Sequence, residues 1–289
     1  MNNFSGLGVA LVTPFKTDKS IDFDALSKTV EYVSDNGVDF LVVLGTTAET
    51  PVLNAREKQD VIKTVIENNT KKLPIIIGAG GNNTQEVINA VADVCDEADA
   101  VLSVVPYYNK PSQRGIAAHF SAVADASKKP VVLYNVPGRT GVNMTADTCL
   151  KLAEHKNIVA IKEASGNLNQ LSYILRDKPE DFIVLSGDDG LTLPQMAMGI
   201  DGVISVVANA FPYEFGKMVH LAQKGNFAEA SHVHLKLIEI IDLLFIEGNP
   251  AGIKAAMEIK GLIKNELRLP LVKSSEILYE KLKEAYKKL

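Results

Sequence analysis

NIVAIKEASGNLN, residues 157–169, is an apolar run that stops on a lysine. Ile158, Val159, Ala160 and Ile161 are continuous and partly β-branched, the pattern of a strand buried on both faces of a parallel sheet. After Lys162 the residues Glu163, Ala164, Ser165, Gly166 and Asn167 are small or polar. Lys162 therefore stands where a buried strand opens into a loop, and desolvation there favours the neutral amine, a nucleophile towards ketones. The plainer readings are a lysine that snorkels to solvent or pairs with Glu163.

Apolar runs of the same kind recur on both sides of this one. They lie at residues 7–13 (LGVALVT), 38–44 (VDFLVVL), 73–77 (LPIII), 100–105 (AVLSVV), 131–135 (VVLYN), 182–186 (FIVLS) and 201–206 (DGVISV), with 158–162 as the sixth in chain order. Helical periodicity follows each. Asp22 is placed to cap the helix DALSKTVEYVSDN, which Gly37 stops, and Asn54 and Glu57 stand at capping-box spacing. Eight strand–helix pairs at roughly thirty-residue spacing predict an α/β protein of the (β/α)8 TIM-barrel class. From Phe227 the pattern is helical only, so residues 1–225 are read as the catalytic barrel and 226–289 as a C-terminal helical appendage packed on it.

Composition narrows the function classes. The 289 residues are 46% apolar and 22% charged with a net charge of −5, and no basic run offers phosphate contacts, so nucleic acid is not expected as a partner. The opening MNNFSGLGVALVTPF has no basic n-region and only a short apolar run before Pro14, which predicts neither a leader nor a membrane anchor and makes the cytoplasm the expected location. Cys95 and Cys149 fall in helix-like segments without metal-ligand spacing and are expected to be free, buried thiols. His119, His155, His220, His232 and His234 form no metal-binding pattern. GAGGN at 78–82 lacks the Lys-Ser/Thr of a P-loop and the spacing of a dinucleotide fingerprint. No metal or cofactor is expected.

In such a barrel the strand ends converge on one cavity. They carry Thr46 and Thr47, Tyr107 and Tyr108, Tyr134, Arg139, Lys162 and Ser205. Singly each has an ordinary reading: a tyrosine plug, a turn-capping threonine, an arginine in a Pro/Gly turn. Together they suit one mechanism, in which a lysine attacks a 2-oxo acid and the resulting iminium acts as an electron sink that lets the neighbouring methyl group lose a proton and become an enamine nucleophile. A phenol can shuttle protons, threonine donors can hold a carboxylate, and a guanidinium can grip a second acid.

GTTAE (45–49), PYYNKPSQ (106–113), YNVPGRTG (134–141), IKEASGN (161–167), LSGDD (185–189) and GVISV (202–206) resemble the signature blocks of the dihydrodipicolinate synthase family, among the class I aldolases related to N-acetylneuraminate lyase. The resemblance implies condensation of pyruvate with L-aspartate 4-semialdehyde to 4-hydroxy-tetrahydrodipicolinate, the first committed step towards diaminopimelate and lysine. It implies Lys162 as the Schiff-base lysine, Tyr134 as the proton shuttle and acid for the leaving water, and Thr46 as its link to Tyr108. It further implies that Tyr108 reaches a neighbouring subunit, in a tight dimer paired into a homotetramer. Thr47 would take the pyruvate carboxylate and Arg139 that of the semialdehyde, with Ile204 and Gly187 shaping the pocket.

The alternative within the same group is an aldolase acting on neuraminate or a 2-keto-3-deoxy sugar acid, against which the arginine of PGRTG argues. A binding protein that has kept the scaffold without turnover is a second alternative. Two departures from the family pattern stand out. Ala48 replaces a usual glycine, at little cost if its φ is negative. The family's lysine-feedback site corresponds to Ala55, Lys58, Asn82, Glu86 and Tyr107, and the cation of Lys58 predicts weak or absent inhibition by lysine.

Overall fold

The structure is a computed structural model that describes residues 4–289; residues 1–3, the start of the stretch expected to carry no leader, lie outside the described residues. Eight strands, β1 (Gly6–Ala10), β2 (Phe40–Val43), β3 (Ile75–Gly78), β4 (Ala100–Val104), β5 (Val131–Asn135), β6 (Ile158–Glu163), β7 (Ile183–Ser186) and β8 (Gly202–Ser205), succeed one another in a closed barrel. Paired neighbours run parallel. Their residues are almost all buried, as expected for strands covered on both faces. Each predicted run overlaps its strand; β1, β3 and β6 each extend one residue beyond the run, and the others lie within it.

An aspartate just before a strand sets the register three times over. The Asp39 carboxylate accepts from Leu7 N at 2.7 Å, Asp99 from Ile75 N at 2.8 Å, and Asp201 from Val184 N at 2.8 Å. In each case the aspartate N–H donates back to the carbonyl of the same residue. A strand thus starts already tied to its predecessor, at the N-terminal rim, where the fold invests in stability.

Several helices begin where the sequence offers a cap. Asp22 accepts from Ala25 N at the start of Phe23–Asp35, and Asn54 with Glu57 forms a full capping box on Ala55–Asn68. Such caps are worth about 0.5–2 kcal/mol each. Cys149 is buried in the helix Ala146–Ala153, but Cys95 is not helical: Thr84–Ala92 has already ended, Ala98 N turns back onto Cys95 O, and the thiol is only half-buried. Both thiols are free.

The chain forms two compact units, one built on Pro74–Ile204 and the other on Gly6–Leu73 with Ser205–Leu289. In the second, the helices Phe227–Phe245, Ala251–Ile259 and Glu276–Tyr286 pack against one another, and Phe227–Phe245 also packs on the helix Pro212–Gln223. Leu237, Ile240, Ile241 and Leu244 of the first helix, Ile253 and Met257 of the second, and Leu278 and Leu282 of the third are buried. Burying each such side chain contributes about 1.5–3 kcal/mol. Among the described residues no helix is long and apolar enough to cross a membrane.

Candidate active site

Tyr134 on β5 and Lys162 on β6 are register partners, and the lysine nitrogen lies 4.5 Å from the centre of the phenol ring. Both are buried, Lys162 to 5% exposure and Tyr134 to 7%. Neither plainer reading of the lysine holds. It does not reach solvent, and among the described residues its nitrogen has no carboxylate partner. Glu163 cannot serve, because consecutive strand residues point to opposite faces.

Gly187, following β7, makes room for this amine. A Cβ there would sit 2.9 Å from Lys162 Cε and 2.6 Å from Ala164 Cβ, while Gly187 N donates to Glu163 O at 2.8 Å. The backbone is therefore held against the lysine stem at a distance only glycine permits. Ile204, on β8, is 1% exposed.

Behind the lysine, the buried Glu163 carboxylate is held by neutral donors. It accepts from Ser165 N at 2.7 Å, Asn135 Nδ2 at 3.0 Å and Gln170 Nε2 at 3.2 Å. Asn143 joins the network through Asn135 and Gln170, and Gln113, the first residue of the preceding helix Gln113–Ala126, ties down the Asn143–Thr148 stretch. Burial, with Glu163 adding to it, pushes the Cys149 thiol pKa far up and leaves it inert. The network ties down the chain on either side of the Pro137–Thr140 turn, where Arg139 is exposed. Residue-by-residue reading missed it, although Asn135 and Glu163 are polar groups inside buried strands, which must find partners.

Tyr107 and Tyr108 do not join the buried pair within this chain. Tyr108 is 87% exposed at φ 70°, an uncommon conformation for a bulky residue, and Tyr107 is 41% exposed. Asn109 Nδ2 bonds Asn82 O at 3.0 Å, and Glu86 is exposed on the helix Thr84–Ala92.

The other unit carries the threonines. Thr46, Thr47 and Ala48 form a 3-10 turn after β2; Thr46 is exposed, and Thr47 is buried with its Oγ1 accepting from Asn249 Nδ2 at 2.9 Å. Ala48 keeps a negative φ, so the missing glycine costs nothing, and the left-handed position falls on Glu49 at φ 55°. Ala55 is exposed and Lys58 half-buried on the first turns of the helix Ala55–Asn68.

Glu49 meets Lys254, with both side chains fully buried. The ammonium also donates to Thr13 O at 2.7 Å and Glu266 O at 2.9 Å, and lies 4.2 Å from the centre of the Phe15 ring. Burial pulls its pKa down to about 8 against the opposing pull of Glu49, so at neutral pH it remains a cation. The lone charge in PAGIKAAM, residues 250–257, was the available signal for a buried ion. Among the described residues no group of three or more His, Cys, Asp or Glu could hold a metal.

The dihydrodipicolinate synthetase family model matches residues 3–289. A 4-hydroxy-tetrahydrodipicolinate synthase from Parabacteroides distasonis is 52% identical, over 99% of this chain and 97% of the relative. Its counterpart from Phocaeicola vulgatus is 54% identical, over 96% of this chain and 94% of the relative. Among solved structures, the chloride-inhibited dihydrodipicolinate synthase of Acinetobacter baumannii complexed with pyruvate is 40% identical and superposes with a TM-score of 0.95, over 98% of both chains.

Proposed function

The chain belongs to the dihydrodipicolinate synthetase family, and from that premise we propose that it is a Schiff-base lyase making 4-hydroxy-tetrahydrodipicolinate from pyruvate and L-aspartate 4-semialdehyde. The observation that carries this reading is a buried lysine amine that has no anionic partner among the described residues and is stacked on a phenol.

The amine of Lys162 adds to the keto carbon of pyruvate, and loss of water gives an iminium, with the Tyr134 phenol supplying the proton that the departing oxygen needs. The iminium then draws electrons from the methyl group, which gives up a proton and becomes an enamine. The enamine carbon attacks the aldehyde of the semialdehyde, whose oxygen takes a proton through Tyr134 and becomes the hydroxyl. Finally the semialdehyde's own amine displaces the lysine nitrogen, closing the ring and freeing Lys162.

The remaining roles follow the family resemblance. Thr47 takes the pyruvate carboxylate, Arg139 takes that of the semialdehyde, Thr46 links Tyr134 to Tyr108, and Ile204 and Gly187 line the pocket. Tyr108, exposed on its own chain, serves the site of a neighbouring subunit in a homotetramer built as a dimer of dimers. Residues 1–225 act as the catalytic barrel and 226–289 as its helical companion, in a cytoplasmic enzyme. Ala55, Lys58, Asn82, Glu86 and Tyr107 correspond to a lysine site that binds weakly or not at all here; inhibition at micromolar lysine would refute this.

Borohydride reduction in the presence of pyruvate tests the central claim. A mass gain confined to the peptide bearing Lys162 is expected, and an unmodified chain would point to binding without turnover. Turnover with the semialdehyde, set against neuraminate and 2-keto-3-deoxy sugar acids, tests the acceptor. Light scattering on the purified chain tests the tetramer.

A further inference from the structure

The segment Asn249–Lys254 touches the turn Thr46–Glu49 at both ends. Asn249 Nδ2 donates to Thr47 Oγ1 at 2.9 Å, and Lys254 Nζ bonds the Glu49 carboxylate. A third tie comes from Thr13, whose hydroxyl donates to Ala48 O at 2.8 Å while its carbonyl accepts from Lys254. The second oxygen of Glu49 accepts from Arg268 N at 3.0 Å. A turn whose last residue sits at positive φ needs such ties, since nothing in its own hydrogen bonding favours that backbone for a glutamate.

The polarity of the Asn249 contact has a chemical consequence. A hydroxyl oxygen that accepts a hydrogen bond keeps its own proton to donate elsewhere, and the bond it accepts strengthens that donation. We propose that Asn249 and Lys254 are positioning residues for the keto-acid subsite: they clamp the Thr46–Glu49 turn and orient Thr47 so that its hydroxyl donates to the substrate carboxylate. The inference rests on the reading of Thr47 as the residue that meets pyruvate. Neither Asn249 nor Lys254 touches substrate in this account.

The test is steady-state kinetics on the full-length enzyme with both substrates varied. Asn249→Asp replaces the amide donor with an acceptor that takes the Thr47 proton for itself. KM for pyruvate should rise about ten- to a hundredfold, the range set by losing a hydrogen bond to a charged group, with KM for the semialdehyde nearly unchanged. Asn249→Ser, which can still donate, should recover part of the loss. Lys254→Met combined with Glu49→Gln removes both buried charges at once and should shift the pyruvate KM in the same direction, while borohydride at saturating pyruvate still labels Lys162.

A double-mutant cycle of Asn249→Ala with Thr47→Val should be strongly non-additive, because the asparagine acts through the threonine. Additive effects, or a fall in kcat with both KM values unmoved, would overturn the clamp and leave Asn249 and Lys254 as stability residues only. An unchanged pyruvate KM in Thr47→Val alone would refute the assignment of Thr47, and the clamp with it. If Asn249→Asp does not fold, the cycle and the serine variant decide the matter.

Discussion

Lys162 and Lys254 both lie buried, and they are opposites. Lys254 spends its donors on a carboxylate and two carbonyls, whereas Lys162 has no carboxylate within reach among the described residues and faces the ring of Tyr134. Two of the buried glutamates mirror them. Glu49 is neutralised by Lys254, while Glu163, next to Lys162, is satisfied by amides and a backbone N–H that bring no charge. With Glu163 on the opposite face of its strand, its charge is turned away from the Lys162 nitrogen. Burial alone therefore does not mark a catalytic lysine; unused donors beside a proton carrier do.

The largest test of this contrast is to remove each amine in turn. Lys162→Ala should abolish turnover and the borohydride adduct with little change in the denaturation midpoint, because no charged partner is left stranded. Lys254→Met should destabilise the fold by about 3–5 kcal/mol, since it leaves Glu49 buried and uncompensated. Adding Glu49→Gln should restore much of that loss. Urea denaturation of the three variants against the parent chain measures it.

His119 sharpens the contrast as a buried base shifted by burial alone. Burial lowers its pKa from 6.5 to about 4, and its Nδ1 shares a hydrogen bond with Thr84 Oγ1 at 3.0 Å. The folded state thus binds this proton more weakly than the unfolded chain does. Its contribution is complete above pH 6.5 and is lost as pH falls towards 4, on the order of 3 kcal/mol in all. Urea midpoints between pH 4 and 7 should fall less steeply in His119→Gln than in the parent.

The smallest expected effect is at Gly187. Gly187→Ala presses a methyl against the Lys162 stem and Ala164, an overpacking worth about 1–3 kcal/mol. Because Lys162 is displaced, kcat/KM should fall roughly ten- to a hundredfold while secondary structure by circular dichroism stays unchanged. Full activity in this variant would show that the lysine stem has slack at this point.

Much of this was legible along the chain. Apolar runs alternating with helical periodicity determined the barrel, because burial on both faces leaves a continuous imprint on each strand. The halt of the sixth run at Lys162, and the cap at Asn54 with Glu57, are equally local and were readable for that reason. What the tertiary structure alone decided was partnership. Lys254 meets Glu49 across 205 positions and Asn249 meets Thr47 across 202, separations no periodicity encodes. Whether Lys162 is paired or free depends on which face each side chain leaves and on what neighbouring strands present there, and only the closed sheet fixes that.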